Sequence, residues 1–430
     1  MKQRFDAIVV GGGLSGCVSA LAFAKRGARV LCLERGGYIG AKNSSGGVLY
    51  GDLLKKLIPG AEIRFPFERK IVRHEIFLSS KKSLLSFNYK PLGKLTSICG
   101  YSVLRVKFDG WLGQQAEKSG AKVLTEALVD DIIWKNGRAV GVKVRRPQGE
   151  AFADLIILAD GVNSLLSKKA GLRGDFQPQQ MMVAVKEIIK LPEEVIEARF
   201  NLKRDEGAAC LMIGDTTQGI EGAGFLYTNR KSLSLGLACH MNALIREKVK
   251  INELIERFKQ IEWISEFIKG GTLKEYSAHL IPAVGYNKRP RMTTSGIIVV
   301  GDAAGLTLNN GFIVRGMDFA IASGMAAAET GMEALNKGDY SCKTLMAYEK
   351  RLKASFVLKD LKTFRKVKNV MKNRAIYAAY PGLLGDVFAN IFTVTGKPKK
   401  RTLRVLWDKL HQYKMSSNFI RFCFRLVRSI

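Results

Sequence analysis

The run Gly11-Gly12-Gly13-Leu14-Ser15-Gly16 carries glycines at the spacing G-x-G-x-x-G, and a carboxylate, Glu34, follows where a second strand would end. This spacing suits the pyrophosphate of a dinucleotide. Gly11 permits a tight turn out of a strand, Gly13 lets phosphates approach the backbone, and Gly16 lets the next helix pack closely on the strand. Amides at the start of that helix, aided by its dipole, attract the phosphates. Glu34 is placed to accept hydrogen bonds from ribose hydroxyls, and Arg35 beside it is assigned to the same nucleotide. The plain alternative is a glycine-rich turn that only packs a helix on a sheet.

Two later stretches separate the possible dinucleotides. Ala159-Asp160-Gly161-Val162-Asn163-Ser164 and Gly301-Asp302-Ala303-Ala304-Gly305 each follow a buried, strand-like run. Both resemble signatures of the glutathione-reductase-type FAD family, in its p-hydroxybenzoate-hydroxylase-like branch. The resemblance implies that Asp302, after Gly301, binds the ribityl chain of FAD. It also implies that the helix opened by Arg315-Gly316-Met317-Asp318 points its amides at the flavin pyrimidine, where positive potential stabilises the anionic reduced flavin. Either aspartate alone is an ordinary turn residue; the ordered set of three motifs is what is specific. No second G-x-G-x-x-G follows, so electrons are not expected from a stably bound NADH.

These residues need a scaffold. Phe5–Val10 reads as a buried strand, Leu14–Arg26 as an Ala/Leu-rich helix and Ala28–Leu33 as a second strand, which together make a Rossmann-type βαβ unit. Residues 61–103 alternate as strands do. Phe108–Lys118 reads as a helix, and Val123–Ile133, Ala139–Arg146 and Leu155–Ala159 as strands. Residues 175–240 alternate and turn often, as a separate antiparallel sheet would. Ile251–Phe267 reads as one helix, Gly296–Val300 as a buried strand, Met317–Leu335 as a helix, and the chain from 341 onward as helical and basic.

The 430 residues are 47% hydrophobic, a foldable composition for two domains, and carry a net charge of +31. Such a charge speaks to partners, namely nucleic acid, anionic lipid or acidic protein, or else to a solvated basic surface. No recognised nucleic-acid module accompanies it, so no nucleic acid is expected as a partner. The seven cysteines, Cys17, Cys32, Cys99, Cys210, Cys239, Cys342 and Cys423, are dispersed without a C-x-x-C. That fits a reducing, cytoplasmic compartment and offers no metal or iron–sulfur spacing. Phe5–Val10 runs straight into the glycine turn rather than into a secretory cleavage site. Ala375–Thr395 is the most membrane-like stretch, but Asp386 and the Pro381-Gly382 break argue against a spanning helix.

Longer stretches narrow the resemblance. Ala41–Tyr50, Tyr101–Arg105 with Phe108–Leu112, Glu275–Pro282, Asn309–Asp318 and Ser355–Leu361 resemble segments of FixC-type proteins, relatives of electron-transfer-flavoprotein:quinone oxidoreductase. The likeness runs over nearly the whole chain. It implies an α/β (α+β) fold: a glutathione-reductase-type FAD domain from residues 1–60, 95–170 and 285–340, a second antiparallel-sheet substrate domain from 61–94 and 171–284, and a basic helical C-terminal region at 341–430. It implies that Arg105 lies near the flavin and that the backbone of Val129 reads adenine, with Gly316 and Met317 also at the cofactor. For Arg105 the alternative is a surface arginine capping the following helix. The resemblance also implies a FAD-dependent oxidoreductase that takes electrons from electron-transfer flavoprotein subunits and passes them toward a quinone or a ferredoxin-like acceptor. The quinone-reducing relatives ligate their own cluster with C-terminal cysteines. Here only Cys342 and Cys423 lie beyond residue 240, so the iron–sulfur step falls to a separate ferredoxin-like subunit. A rival is a flavin-dependent reductase of polyprenyl (geranylgeranyl) lipids, whose usual cysteine after the first βαβ unit is absent from Ser44-Ser45-Gly46-Gly47. An aromatic hydroxylase, and a basic binding protein with a vestigial nucleotide fold, are remoter alternatives. No acid or base stands out: His279 is either a donor to a quinone carbonyl or a satisfied structural histidine.

The tail has its own pattern. Lys397, Lys399, Lys400, Arg401, Arg404, Lys409, Lys414, Arg421, Arg425 and Arg428 face a single acid, Asp408. Arg421, Arg425 and Arg428 recur at helical spacing among Phe419, Ile420, Phe422 and Phe424. The pattern suits a helix lying on an anionic membrane surface, an acidic partner subunit, or a terminal helix packed on the body. The expected location is cytoplasmic, with peripheral attachment to the inner face of the cell membrane.

Overall fold

The computed structural model describes residues 4–43, 46–60, 65–92, 100–146, 149–412, Arg425 and Ser429. The expected helix over 418–430, apart from Arg425 and Ser429, and the loop serines Ser44 and Ser45 therefore lie outside the described residues.

β1 (Arg4–Val10) is buried over its last four residues because it is central in a parallel sheet, where both faces are covered. It pairs in parallel with β2 (Val30–Leu33) and β10 (Glu150–Leu158), β2 with β7 (Lys122–Leu124), and β10 with β17 (Ile297–Val299). The antiparallel β16 (Thr293–Thr294) closes one edge, and a hairpin of β8 (Val129–Lys135) and β9 (Arg138–Val144) leans on β10. Val10 is in register with Leu33 and Leu158, and Leu158 with Val299. The turns that follow these strands carry the glycine run, Glu34, Asp160 and Asp302, so all of them open along one edge of the sheet.

Every residue of α1 (Leu14–Ala24) is buried, between that sheet and a later helix. The later helix must come very close: a Cβ at Gly331 would fall 2.3 Å from the Phe23 ring, and one at Gly324 would fall 2.6 Å from the Ser15 carbonyl. α2 (Arg105–Lys118) packs on the other flank of α1.

The second sheet runs β15-β11-β14-β13-β12-β4-β6-β3. In chain order these strands are β3 (Gly47–Leu49), β4 (Phe67–Ser79), β6 (Tyr101–Val103), β11 (Met181–Lys190), β12 (Glu206–Gly214), β13 (Gly222–Thr228), β14 (Ser232–His240) and β15 (Thr272–Pro282), with β5 (Leu84–Tyr89) hung on β4. The sheet is mixed rather than antiparallel throughout, because β12 and β4 pair in parallel. Its pairing also takes in residues 47–49 and 101–103, which the sequence placed with the nucleotide-binding part. Three-residue strands are too short for alternation to reveal them.

α3 (Glu193–Phe200), α4 (Ile251–Gln260) and α5 (Glu262–Ile268) cover one face of this sheet, where Val185, Ile189, Leu226, Leu235 and Phe258 form a core. The single helix expected over Ile251–Phe267 is two, because Ile261 adopts an extended conformation, φ −62° and ψ 122°. The bend lets both Phe258 and Ile264 reach the core. Similarly, the strand expected over Val123–Ile133 breaks into β7 and β8 at Glu126, whose φ is +53°.

The long helix against α1 is α6 (Met317–Lys337), entered from a small hairpin of β18 (Leu308–Asn309) and β19 (Val314–Arg315). The C-terminal part is helical through α7 (Phe356–Thr363), α8 (Tyr380–Phe392) and α9 (Thr402–Gln412). α8 sits on the β4–β5 turn, where a Cβ at Gly385 would fall 1.8 Å from Ser83 Oγ. Lys409 of α9 pairs with Asp386 of α8 at 2.9 Å. Among the described residues no helix is long and apolar enough to cross a membrane.

Arg69 ties the second sheet together. Its side chain is fully buried; Nε donates to the Asn229 carbonyl at 2.8 Å, and Nη1 donates to the Glu206 carbonyl and to Glu197 Oε1, both at 3.0 Å. Arg69→Met leaves those acceptors unpaired and is expected to cost ~3 kcal/mol, with Glu197→Gln, at a partly exposed partner, costing ~1 kcal/mol. Urea midpoints of the two variants check this; equal midpoints would show that the arginine is not the tie.

Candidate functional site: a flavin site facing an aromatic cavity

The glycine turn is built for close approach. Gly11 has φ +105°, and a Cβ there would fall 2.3 Å from the Ala159 carbonyl. A Cβ at Gly16 would fall 1.8 Å from the Gly11 carbonyl, whereas one at Gly13 would meet nothing within 4 Å. The first two glycines therefore serve packing and the third leaves open space above the helix. No side chain caps α1 and no acid sits in its first turn, so its leading amides are left for an anionic ligand. Glu34 is buried against this turn, its carboxylate accepting from the amides of Gly12 and Gly36 at 2.7 Å each. Arg35 is exposed next to it. Backbone bonds from Glu126 to Gly36 and from Ala127 to Glu34, both 2.8 Å, bring the approach to β8 alongside, and with it Val129.

Gly301 has φ +61° and presses on α1: a Cβ there would fall 2.6 Å from Ser15 Oγ. Asp302 follows on the same short turn. Burial pushes its carboxyl up to about 6, against the opposing pull of Arg105. Arg105 is the first residue of α2, not a surface cap; its side chain is 19% exposed and makes a bidentate pair with the fully buried Asp109 at 2.8 and 2.9 Å. Asn43 donates to the same carboxylate.

Gly316 caps α6 without a side-chain partner. Arg315 beside it bonds Asp318 at 2.8 Å through Nε and Asp360 of α7 at 2.6 Å, fixing the helix start to the C-terminal part. Met317 packs where Gly47 passes: a Cβ on Gly47 would fall 3.2 Å from Met317 Sδ. Asp160 differs from Asp302. Its carboxylate accepts from Ser164 Oγ at 2.7 Å, so it is committed to its own turn.

Across from these groups lies the face of the second sheet that α3–α5 leave bare. Its polar residues include His279 and Glu275 of β15, His240 of β14 and Lys186 of β11. His279 of β15 stands opposite Ala184 of β11; burial, then Arg105 and Lys186, hold its pKa down to about 4, so it is neutral near pH 7. Lys186 of β11 donates to the Gly46 carbonyl. The sequence did not single it out. The available signal was a lysine at an inward position of a strand whose other residues are mostly apolar, Met-Met-Val-Ala-Val-Lys-Glu-Ile-Ile-Lys.

The sequence also missed a cavity of about 280 Å³ between this face and the β18–β19 hairpin, walled by Tyr50, His74, Phe225, Tyr227, Phe312 and Tyr377. A second space of about 70 Å³ adjoins it through Met182, His240, Asn309, Val314 and Met371, which line both. Burial and the nearby Lys368 lower His240 to about 4, so this histidine is neutral near pH 7. Among the described residues no group of three or more His, Cys, Asp or Glu is arranged to hold a metal.

Comparison with known proteins is decisive at the level of family. Protein FixC of Escherichia coli (strain K12) is 42% identical over 410 residues, covering 94% of this chain and 95% of that protein. The chain belongs to the FixC family. FixC of Azorhizobium caulinodans is 37% identical over 98% of this chain and 99% of its own length. A probable electron transfer flavoprotein-quinone oxidoreductase of Escherichia coli (strain K12) is 40% identical over 94% of each chain. The family model described as FAD dependent oxidoreductase matches residues 6–165. Among solved structures, a geranylgeranyl bacteriochlorophyll reductase-like protein from Thermoplasma acidophilum superposes with a TM-score of 0.74 at 23% identity, covering 95% of this chain and 96% of that one. A flavin-dependent brominase does so with a TM-score of 0.65 at 15% identity, covering 96% of this chain and 100% of that one. These two share the fold.

This FixC-family member is thus an FAD-dependent oxidoreductase with an α/β (α+β) fold, and the residues at the site suit FAD: uncapped amides at α1, a steric cradle of glycines, and a carboxylate at Asp302 facing Arg105. Gly16→Ala and Asp302→Ala are each expected to weaken FAD retention at least tenfold, about 1.4 kcal/mol, while Asp160→Ala retains it. The ratio of flavin to protein absorbance after gel filtration reads this. Equal retention in the two aspartate variants would dissolve the distinction drawn between them.

Proposed function

We propose that this protein passes electrons from an electron-transfer flavoprotein through FAD toward a quinone or a ferredoxin-like acceptor, working beside a separate ferredoxin-like iron–sulfur subunit. The bound flavin supplies the electron-accepting and electron-donating chemistry. Gly11, Gly13 and Gly16 seat the pyrophosphate, Glu34 and Arg35 take the adenosine side, and the backbone at Val129 meets adenine. Gly301 and Asp302 take the ribityl chain, Gly316 and Met317 present the α6 amides to the pyrimidine, and Arg105 adds fixed positive charge.

The observation that carries this reading is the aromatic cavity. Its wall includes Asn309, Phe312 and Val314, the hairpin that leads directly into Gly316, so a ring bound there lies beside the start of α6. His279 and His240 are held neutral, which suits an uncharged acceptor. The name of the 40% identical relative, a probable electron transfer flavoprotein-quinone oxidoreductase, adds weight to quinone as that acceptor. The passage onward through Met182 and Met371 favours a ligand with an apolar chain. That also supports the second reading, reduction of a polyprenyl (geranylgeranyl) lipid.

Anaerobic mixing separates the two readings. Reduced electron-transfer flavoprotein should bleach the bound FAD, and a short-chain quinone should restore its colour within the same turnover. If quinone leaves the reduced flavin untouched while a geranylgeranyl lipid reoxidises it, the second reading replaces the first.

The α8–α9 connection supports placement on the inner face of the cell membrane. Phe392, Val394 and Leu403 are 75%, 83% and 72% exposed there, among Lys397, Lys399, Lys400, Arg401 and Arg404. Apolar side chains ringed by cations suit an anionic lipid surface. α8 packs on β5, whose Tyr89 both lines the cavity and is exposed, so a lipid-soluble ligand would find the cavity close to the surface. Flotation with anionic liposomes should fall with salt and should drop at least fivefold when Phe392, Val394 and Leu403 are changed to Ser, with FAD content unchanged. Undiminished flotation of that variant would move the docking site elsewhere.

A further inference from the structure

Lys186 is a cation with little structural reason to be where it is. It lies part-buried on β11, on the sheet face away from α4 and α5; its neighbours along the strand on that face, Ala184 and Ile188, are uncharged, and β15 sets Ser277 opposite it between His279 and Glu275. Its ammonium group donates to the Gly46 carbonyl, with the Phe225 ring 5.7 Å away. Gly46 and Gly47 form a clamp between the two halves of the protein. A Cβ at Gly46, φ +77°, would fall 2.3 Å from Ser234 Oγ of the second sheet, and one at Gly47 would touch the first residue of α6. Lys186 is therefore bonded to the segment pinched between the substrate-side sheet and the helix start assigned to the flavin.

The groups that act on it come from two elements. Arg105 reaches it from α2, and Glu275 and His279 from β15. The β13 and β14 strands present Phe225, Ser234 and Gly236, which carry no charge. Asp109 and Asp302 act in turn on Arg105. Burial, then Arg105, lowers the Lys186 amine to about 7, with Glu275 opposing. Confining a cation beside Arg105 costs stability that the Gly46 carbonyl and the attraction of Glu275 only partly offset, since the amine is still lowered to about 7.

We propose that Lys186 is the redox-linked proton acceptor of the flavin site, taking a proton from solvent as electrons enter the flavin and releasing it as they leave. The inference rests on the reading that the flavin lies between Asp302, Arg105 and the start of α6. The step balances. An electron pair from an external reductant enters together with one proton, which leaves one negative charge at the ring, and a second proton passes from solvent to Lys186 Nζ. Reoxidation returns both protons. The sign follows from electrostatics: new negative charge nearby favours the charged amine and moves it from about 7 toward its ordinary 10.5. Above about pH 7 the amine is therefore largely neutral before reduction and protonated after it. Arg105 cannot do this, because its guanidinium stays charged throughout.

The experiment is an anaerobic dithionite titration of the FAD-loaded full chain against a reference dye, from about pH 7 to about pH 9. The wild-type midpoint should shift with pH as two protons per electron pair require. Lys186→Met should lose one of those protons and become harder to reduce. Lys186→Arg should lose the same proton while staying easier to reduce than the methionine variant, since its charge is permanent. A pH slope in Lys186→Met or Lys186→Arg equal to that of wild type overturns the proposal. If the methionine variant fails to fold, the arginine variant, which keeps charge and bulk, decides on slope alone. Asp302→Ala distinguishes the two layers: if it keeps FAD, the flavin's placement is wrong; if it loses FAD while the Lys186 variants match wild type, only this proposal falls.

Discussion

The parallel register of β1, β2, β10 and β17 is the constraint on which the rest depends. Because Val10, Leu33, Leu158 and Val299 end together, segments far apart in sequence deliver their turns to one line. A shift of one residue in any of those pairings would turn buried side chains outward and move a turn out of that line. The cost would be paid in the core as well as at the site. The contacts of Gly16 with Gly11 and of Gly301 with Ser15 then lock α1 at a fixed height over that edge.

The second sheet is joined to this edge by a shared core, in which Leu49, Val103 and Phe108 are buried together, and by a close passage of backbone. Gly46 and Gly47 pass so close to both halves that no side chain fits at Gly46 without displacing Ser234. Around that passage Arg105 acts on Asp302, Lys186 and His279, Lys186 acts on His279, and Asp109 and Asp302 act back on Arg105. Such a cluster on rigid elements holds charge in a fixed geometry, which is what a redox cofactor needs from its protein.

What the sequence disclosed divides along physical lines. The glycine run, Asp160, Asp302 and the start of α6 are local: strand, turn and helix are adjacent in the chain, and glycine spacing reports backbone geometry directly. The resemblance assigned the ribityl contact to Asp302 and not to Asp160; that Ser164 bonds the Asp160 carboxylate is seen only in the structure. Lys186, the cavity and the membership of Gly47–Leu49 and Tyr101–Val103 in the second sheet depend on pairings between distant strands, which no local period encodes. The bend at Ile261 was hidden because both helix halves keep one apolar face. The expected basic face at Arg421, Arg425 and Arg428 lies mostly outside the described residues, while the apolar tip at Phe392–Leu403 emerged from exposure, which sequence alone does not give.

The parallel pairing of β4 with β12, and of β10 with β17, bears on how the chain can be made. β4 has no partner on its β12 side until residues near Glu206 have left the ribosome, and β10 waits on one flank for Ile297. Until then each half exposes an unpaired strand edge, the kind of surface on which nascent chains aggregate. Neither sheet is a contiguous stretch of sequence, so the two halves cannot be cut apart and expressed singly. Contacts this distant also raise the entropy that must be lost before the sheets close. Folding should therefore be slow and late in synthesis, completed only when α6 slides in against α1.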